Sequence, residues 1–180
     1  MVEVLGKILE EVKTVLGEVK EEELQAVMDQ LDQSRRVFVD GEGRSGFSAK
    51  GFAMRLMHLG YQVYFVGETI TPAIKEGDVF IAISGSGNSA NVLNDAKKAV
   101  EIGATVIAVT SKETSALARL AQTLLIIPGA VKADSGKGRG SIQLLSSLFD
   151  QSLHLTLDAL CLLLSYRNHT TNETATKAHW

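Results

Sequence analysis

Cysteine is almost absent from this 180-residue chain: Cys161 is the only one. A disulfide framework and a cysteine-based zinc site are therefore excluded. Cys161 lies in an apolar stretch and reads as a small buried hydrophobe. Charge of one sign is also scarce. The formal net charge is −3, which leaves neither the basic footprint of a nucleic-acid binder nor a polybasic membrane patch. The N-terminus, MVEVLGKILEEVK, is acidic and amphipathic, without a charged segment leading into an apolar one. The expected location is the cytoplasm, and the sequons at Asn168 and Asn172 are then chance matches. Ile142–Leu164 is the one stretch that resembles a membrane span. It carries Asp150, His154 and Asp158 in its middle, which hydrocarbon tolerates poorly, so a buried core helix is expected.

What is present is a chain of the length and composition of one globular domain. Val4, Leu5, Ile8, Val12, Val15, Leu16 and Val19 recur at helical spacing, and a second helix is expected over about Glu22–Gln33. Strand-like runs then alternate with helical patterns. The strands are Val37–Val39, Val63–Val66, Val79–Ile83, Thr105–Val109 and Leu124–Ile127; the helices lie near Ser48–Leu59, Ala90–Ile102 and Ser115–Ala121. Continuously apolar strands suit a parallel sheet covered on both faces. The expectation is an α/β three-layer sandwich, a five-stranded parallel sheet of flavodoxin-like type with extra N-terminal helices. It would form a single domain over residues 1–180, with helices in 1–34, the sheet in 35–165 and a flexible tail in 166–180. Gly129–Gly140 reads as a mobile surface loop near the site.

Two short loops carry the chemistry. Gly41–Gly46 reads GEGRSG and Ser84–Ser89 reads SGSGNS, each after an apolar strand and before a helical pattern. Glycine lets a backbone turn tightly and approach a ligand, while the N–H groups of the following helix point at an anion. Read alone, Gly41, Gly43 and Gly46 with Glu68 downstream outline a dinucleotide site, and so an NAD-type oxidoreductase. That reading leaves the second loop unexplained. Ser84, Ser86 and Ser89 place three hydroxyls within six residues, a density suited to the terminal oxygens of a monophosphate. In an open parallel sheet both loops fall on one edge. A phosphorylated small molecule is the expected ligand.

These residues also carry a resemblance. G-x-G-R-S followed by S-G-S-G-x-S resembles the SIS (sugar isomerase) domain, and AMRLMHLGYQVYFVGETITPA, Ala53–Ala73, is similar to its 6-phospho-3-hexuloisomerase branch. The resemblance implies interconversion of a 3-hexulose 6-phosphate and fructose 6-phosphate through an enediol, without cofactor or metal, usually in a homotetramer. Such enzymes follow a synthase that fixes formaldehyde onto ribulose 5-phosphate. It implies substrate binding by Gly43, Arg44, Ser45, Ser84, Gly85, Ser86, Gly87, Asn88 and Ser89. Proton transfer falls to Asp150, in SLFDQ where relatives have SLFEQ, with His58 of MRLMHLG as a second catalytic candidate. A carboxylate serves as base when burial raises its pKa. Aspartate is one methylene shorter than glutamate, and a misplacement of about 1 Å can cost on the order of 100-fold in rate.

The chain departs from its relatives elsewhere too. Ile142–Ser147 reads IQLLSS against IQPMGS, and the tail ends in KAHW, leaving His179 against a RHANLE-like end. A phosphosugar-binding module that has lost catalysis is the alternative. Asp150, His154 and Asp158 share a helix face at four-residue spacing and read as a polar stripe rather than a metal site. Glu42 reads as a helix-start carboxylate, and Glu68 as a candidate for hydroxyl recognition.

Overall fold

The computed structural model describes residues 2–136 and 140–179. Helices α1 (Val2–Gly17) and α2 (Glu21–Gln30) lead into β1 (Arg36–Gly41), α3 (Gly43–His58) and β2 (Gln62–Phe65). The chain continues through β3 (Val79–Ile83), α4 (Ala90–Ile102), β4 (Thr105–Thr110), α5 (Ala116–Leu120) and β5 (Thr123–Ile126). It closes with α6 (Ser147–Arg167) and α7 (Asn172–Lys177). The strands form one sheet in the order β2-β1-β3-β4-β5, every neighbouring pair parallel. This is the expected three-layer α/β arrangement.

Side-chain alternation along each strand builds the two faces. Val37, Val39, Val79, Ile81, Ile83, Ile107 and Val109 enter the core shared with α1, α2, α3 and α6. Phe38, Phe80, Ala82, Val106 and Ala108 enter the core under α4 and α5. Central β3 is buried along its whole length, whereas edge β2 is only partly covered and begins on exposed Gln62. α4 ends where Gly103 adopts φ +87°, a left-handed cap that a side chain would oppose.

Two segments, the start of α3 and the C-terminal tail, differ from the sequence reading. α3 begins at Gly43, inside the first loop rather than at Ser48, because its first turn is made of glycine, arginine and serine and shows no apolar period. α1 packs its Val12 and Val15 into the chain's own core against α6, while Val2, Val4, Leu5 and Leu9 stay exposed. The C-terminal segment contains the short helix α7, capped by the Thr171 hydroxyl accepting from the Thr174 N–H at 3.2 Å. Six residues are too few to show a period. Arg167, at the end of α6, is anchored on the Met28 and Leu31 carbonyls and on the Tyr61 hydroxyl. Part of the expected Gly129–Gly140 loop, residues 137–139, lies outside the described residues. No helix among the described residues is long and apolar enough to cross a membrane.

Candidate active site

The strand order reverses between β1 and β3, and in such sheets a crevice opens at that point beyond the carboxyl ends of the strands. The two glycine-serine loops leave from these ends. A cleft of about 610 Å³ lies there, within the range of small-molecule sites. Gly43, Arg44, Ser45, Ser84, Gly85, Ser86, Ser89 and Asp150 line it. Gly87 and Asn88 are not on its wall. They shape the second loop instead.

That loop is tightly specified. A Cβ added at Gly85 would lie 2.8 Å from the Phe149 ring and 2.9 Å from Val131, and Gly87 has φ +62° with Ser115 pressed against it. Neither position accommodates a side chain without rearrangement. The Asn88 backbone N–H donates to Ser86 Oγ at 3.2 Å, and its side-chain amide donates to the Ser86 carbonyl at 2.9 Å. Ser84 and Ser89 share a hydroxyl hydrogen bond of 2.8 Å. Ser89 is the residue before α4, and its side chain caps no backbone N–H. The hydroxyls and the α4 N-terminus therefore converge on the cleft, an arrangement that favours an anion.

The first loop contributes a different chemistry. Gly46 packs so close to Gly41 that an added Cβ would sit 2.6 Å from the Gly41 carbonyl oxygen, bringing the first turn of α3 onto the sheet. Ser45 donates from Oγ to Asp150 Oδ1 at 2.7 Å. Arg44 donates to Ser147 Oγ at 2.7 Å, and its Nε lies 3.8 Å from Asp150 Oδ2. Asp150 itself is buried, in the first turn of α6. Burial pushes its carboxyl above the ordinary carboxylate value; the Ser45 hydrogen bond and the Arg44 charge oppose that rise. The result is a carboxyl with a raised pKa, held beside the Ser84–Ser89 loop. Glu42, also on the wall, accepts from Asn91 at 2.6 Å.

Other sequence candidates lie elsewhere. His58 stands at the far end of α3, roughly 20 Å along the axis from the cleft. It is buried, stacks on His179 with ring centroids 5.2 Å apart, and its Nδ1 lies 3.4 Å from Arg55. Burial first, then the Arg55 and His179 charges, lower its pKa. Glu68 pairs with Lys50 at 2.9 Å, away from the cleft, so the dinucleotide outline lacks its acidic residue there. His154 and Asp158 are exposed and 3.5 Å apart; the stripe they share with buried Asp150 is split by burial. A second depression, about 420 Å³, reaches Arg44 and Asp150 from the side. Its remaining walls are Leu9, Val12, Phe47 and Leu155 with Ser48, Gln151 and His154, and it does not reach the Ser84–Ser89 loop.

Two contributors escaped sequence reasoning. Glu11 of α1 accepts from Ser141 Oγ at 2.8 Å, from the Ile142 N–H at 2.7 Å and from Gln143 Nε2 at 3.1 Å. It thereby fixes the segment that enters α6. Lys132 lines the cleft, brought there by a loop whose sequence is glycine-rich and charged. Neither carries a local signal, because both act through residues far away in the chain.

A crevice at the reversal point of a parallel sheet, with serine hydroxyls and helix N-termini beside a buried carboxylate, defines a small-molecule site of the α/β class with the donors that suit an anion. The chain belongs to the SIS domain family, which matches residues 30–146. It is 36% identical over 177 residues to the 3-hexulose-6-phosphate isomerase of Bacillus subtilis strain 168, covering 98% of this chain and 96% of that protein. The enzyme of the same name from Mycobacterium gastri is 40% identical over 156 residues, 87% of this chain and 78% of its own. Among solved structures, Methanococcus jannaschii MJ1247 superimposes with a TM-score of 0.84 at 29% identity, covering 99% of this chain and 98% of its own. A 3-hexulose-6-phosphate isomerase function was inferred for MJ1247 from its structure.

Proposed function

We propose that this chain is a sugar-phosphate isomerase that interconverts 3-hexulose 6-phosphate and fructose 6-phosphate. The observation that carries the reading is the placement of buried Asp150, 2.7 Å from Ser45, on the same cleft wall as the Ser84–Ser89 loop. Relatives named for this reaction, similar over most of the chain, support it.

In this reading the Ser84, Ser86 and Ser89 hydroxyls and the α4 N-terminus hold the 6-phosphate. Anchoring that remote group turns binding energy into orientation of C2 and C3. The Asp150 carboxylate removes the proton from C3 of fructose 6-phosphate, leaving a C2–C3 enediolate. Transfer of the O3 proton to O2 and return of the proton from Asp150 to C2 leave the carbonyl at C3, and the reverse order runs the reaction backward. Ser45 holds the carboxylate in register. Arg44, beside it, offsets negative charge that develops on the enediol oxygens.

The same hydrogen bonds suit a second reading, a phosphosugar-binding module in which Asp150 only braces α6 against α3. Incubation with fructose 6-phosphate, followed by carbon NMR, separates the two. New signals of a hexulose with its carbonyl at C3 are expected. Saturable binding without them would overturn the isomerase reading.

A further inference from the structure

The second loop presents only neutral donors, yet a phosphate leaving water carries close to two negative charges at neutral pH, and hydrogen bonds to ions hold it more strongly when the donor is itself charged. Two cations line the cleft, Arg44 and Lys132. Arg44 is engaged with Ser147 and Asp150, on the proton-transfer side. The Lys132 ammonium makes no ion pair or hydrogen bond among the described residues.

The position of Lys132 is built rather than incidental. Its neighbour Val131 packs directly on Gly85, where an added Cβ would approach it to 2.9 Å. Residue 132 is therefore placed beside the second loop. The Asp134 backbone N–H donates to the Val131 carbonyl at 2.9 Å, and the Asp134 carboxylate accepts from the Val131 N–H at 2.9 Å. Lys112, following β4, pairs with the same carboxylate. On the other side the Lys132 N–H donates to Ser146 Oγ at 3.1 Å, tying it to the rim from which α6 starts. The backbone is fixed and the ammonium is left to its flexible stem, which suits capture of a compact anion.

We propose that Lys132 is the cation that binds the phosphate over the Ser84–Ser89 loop and sets the preference for phosphorylated over neutral sugars. This deepens the isomerase reading but is tested without turnover. Calorimetric titration with inorganic phosphate is the probe, on the wild type, Lys132→Met and Lys132→Arg. Lys132→Met is expected to weaken phosphate by about tenfold or more, and Lys132→Arg to retain most of the affinity. The dependence of affinity on salt should become shallower in Lys132→Met alone, a readout that a merely structural role for the side chain would not move. With fructose 6-phosphate, the loss should fall mainly on KM. Phosphate affinity in Lys132→Met within about twofold of the wild type would overturn the proposal, as would an equal loss in Lys132→Arg. Failure of the wild type to bind phosphate at all would overturn both readings. Phosphate binding through Lys132 without isomerisation of any hexulose phosphate would contradict only the isomerase.

Discussion

Two buried aspartates stand at the carboxyl edge of the sheet, and they differ in what surrounds them. Asp150 faces the cleft on the α3–α6 side, with a hydroxyl at 2.7 Å and a guanidinium at 3.8 Å. Asp40, at the end of β1, follows the strand's alternation to the opposite face, under α4. Among the described residues its Oδ2 is buried without a hydrogen-bond partner. Burial, helped by Asp95 and Glu42 and opposed by the Gly41 N–H, pushes its carboxyl up to about 6. Both carboxyls are raised above their ordinary value, so a raised pKa alone marks neither as functional. What separates them is the cleft that Asp150 lines and the side-chain partners that aim its carboxylate, which Asp40 lacks among the described residues.

The largest effect should come from removing the charge that the cleft uses. Asp150→Asn is expected to lower kcat by roughly 10³-fold while inorganic phosphate binding survives, as checked by turnover assays beside calorimetry. A loss of phosphate affinity on the same scale would mean that Asp150 braces the site instead. Asp40→Asn should do the reverse, changing stability and sparing turnover. The folded carboxyl titrates near 6 against about 3.9 unfolded, so the folded state holds this proton more tightly. The stability linked to that proton is fully present below about pH 3.9 and is lost as pH rises through 6. Thermal melts of Asp40→Asn should lack that decline and gain at pH 7.5 by at most on the order of 3 kcal/mol. An unchanged pH profile would remove Asp40 from the comparison.

A smaller effect sharpens the contrast from the catalytic side. The Ser45 hydrogen bond holds the Asp150 pKa down against burial, so its removal lets the pKa rise. Ser45→Ala should move the acid limb of kcat/KM to higher pH and reduce activity by about tenfold. A limb moved to lower pH would contradict the assignment of Asp150 as base. The smallest change is expected at the far end of α3. The His58 pKa is held below its ordinary value, so the stability it contributes is present above about pH 6.5 and lost as pH falls through its folded value. Melting points of His58→Asn should depend less on pH in that range than those of the wild type.

The contrast also explains how much was legible in the sequence. Val37 to Val39 and Val79 to Ile83 disclosed the parallel sheet because burial on both faces writes continuous apolar runs. The loops were legible because close approach at Gly85 and the left-handed turn at Gly87 demand glycine, and because three serines fall within six residues. Asp150 was found through a resemblance, not through any period of its own. The start of α3 was hidden because Gly43, Arg44 and Ser45 serve the cleft rather than a core stripe. Lys132 was hidden because its place depends on Val131 packing against Gly85, and Glu11 because its partners are Ser141, Ile142 and Gln143. The separation of His58 from the cleft was invisible for a related reason: residues near in sequence to a site lie far from it when a helix intervenes.

The most direct test of the central claim, proton transfer by Asp150 in the phosphate cleft, is proton NMR of fructose 6-phosphate incubated with the protein in deuterated water. The account predicts solvent deuterium at C3 with the wild type, and none above background with Asp150→Asn under conditions where phosphate still binds. Deuterium incorporation by Asp150→Asn at the wild-type rate would contradict it.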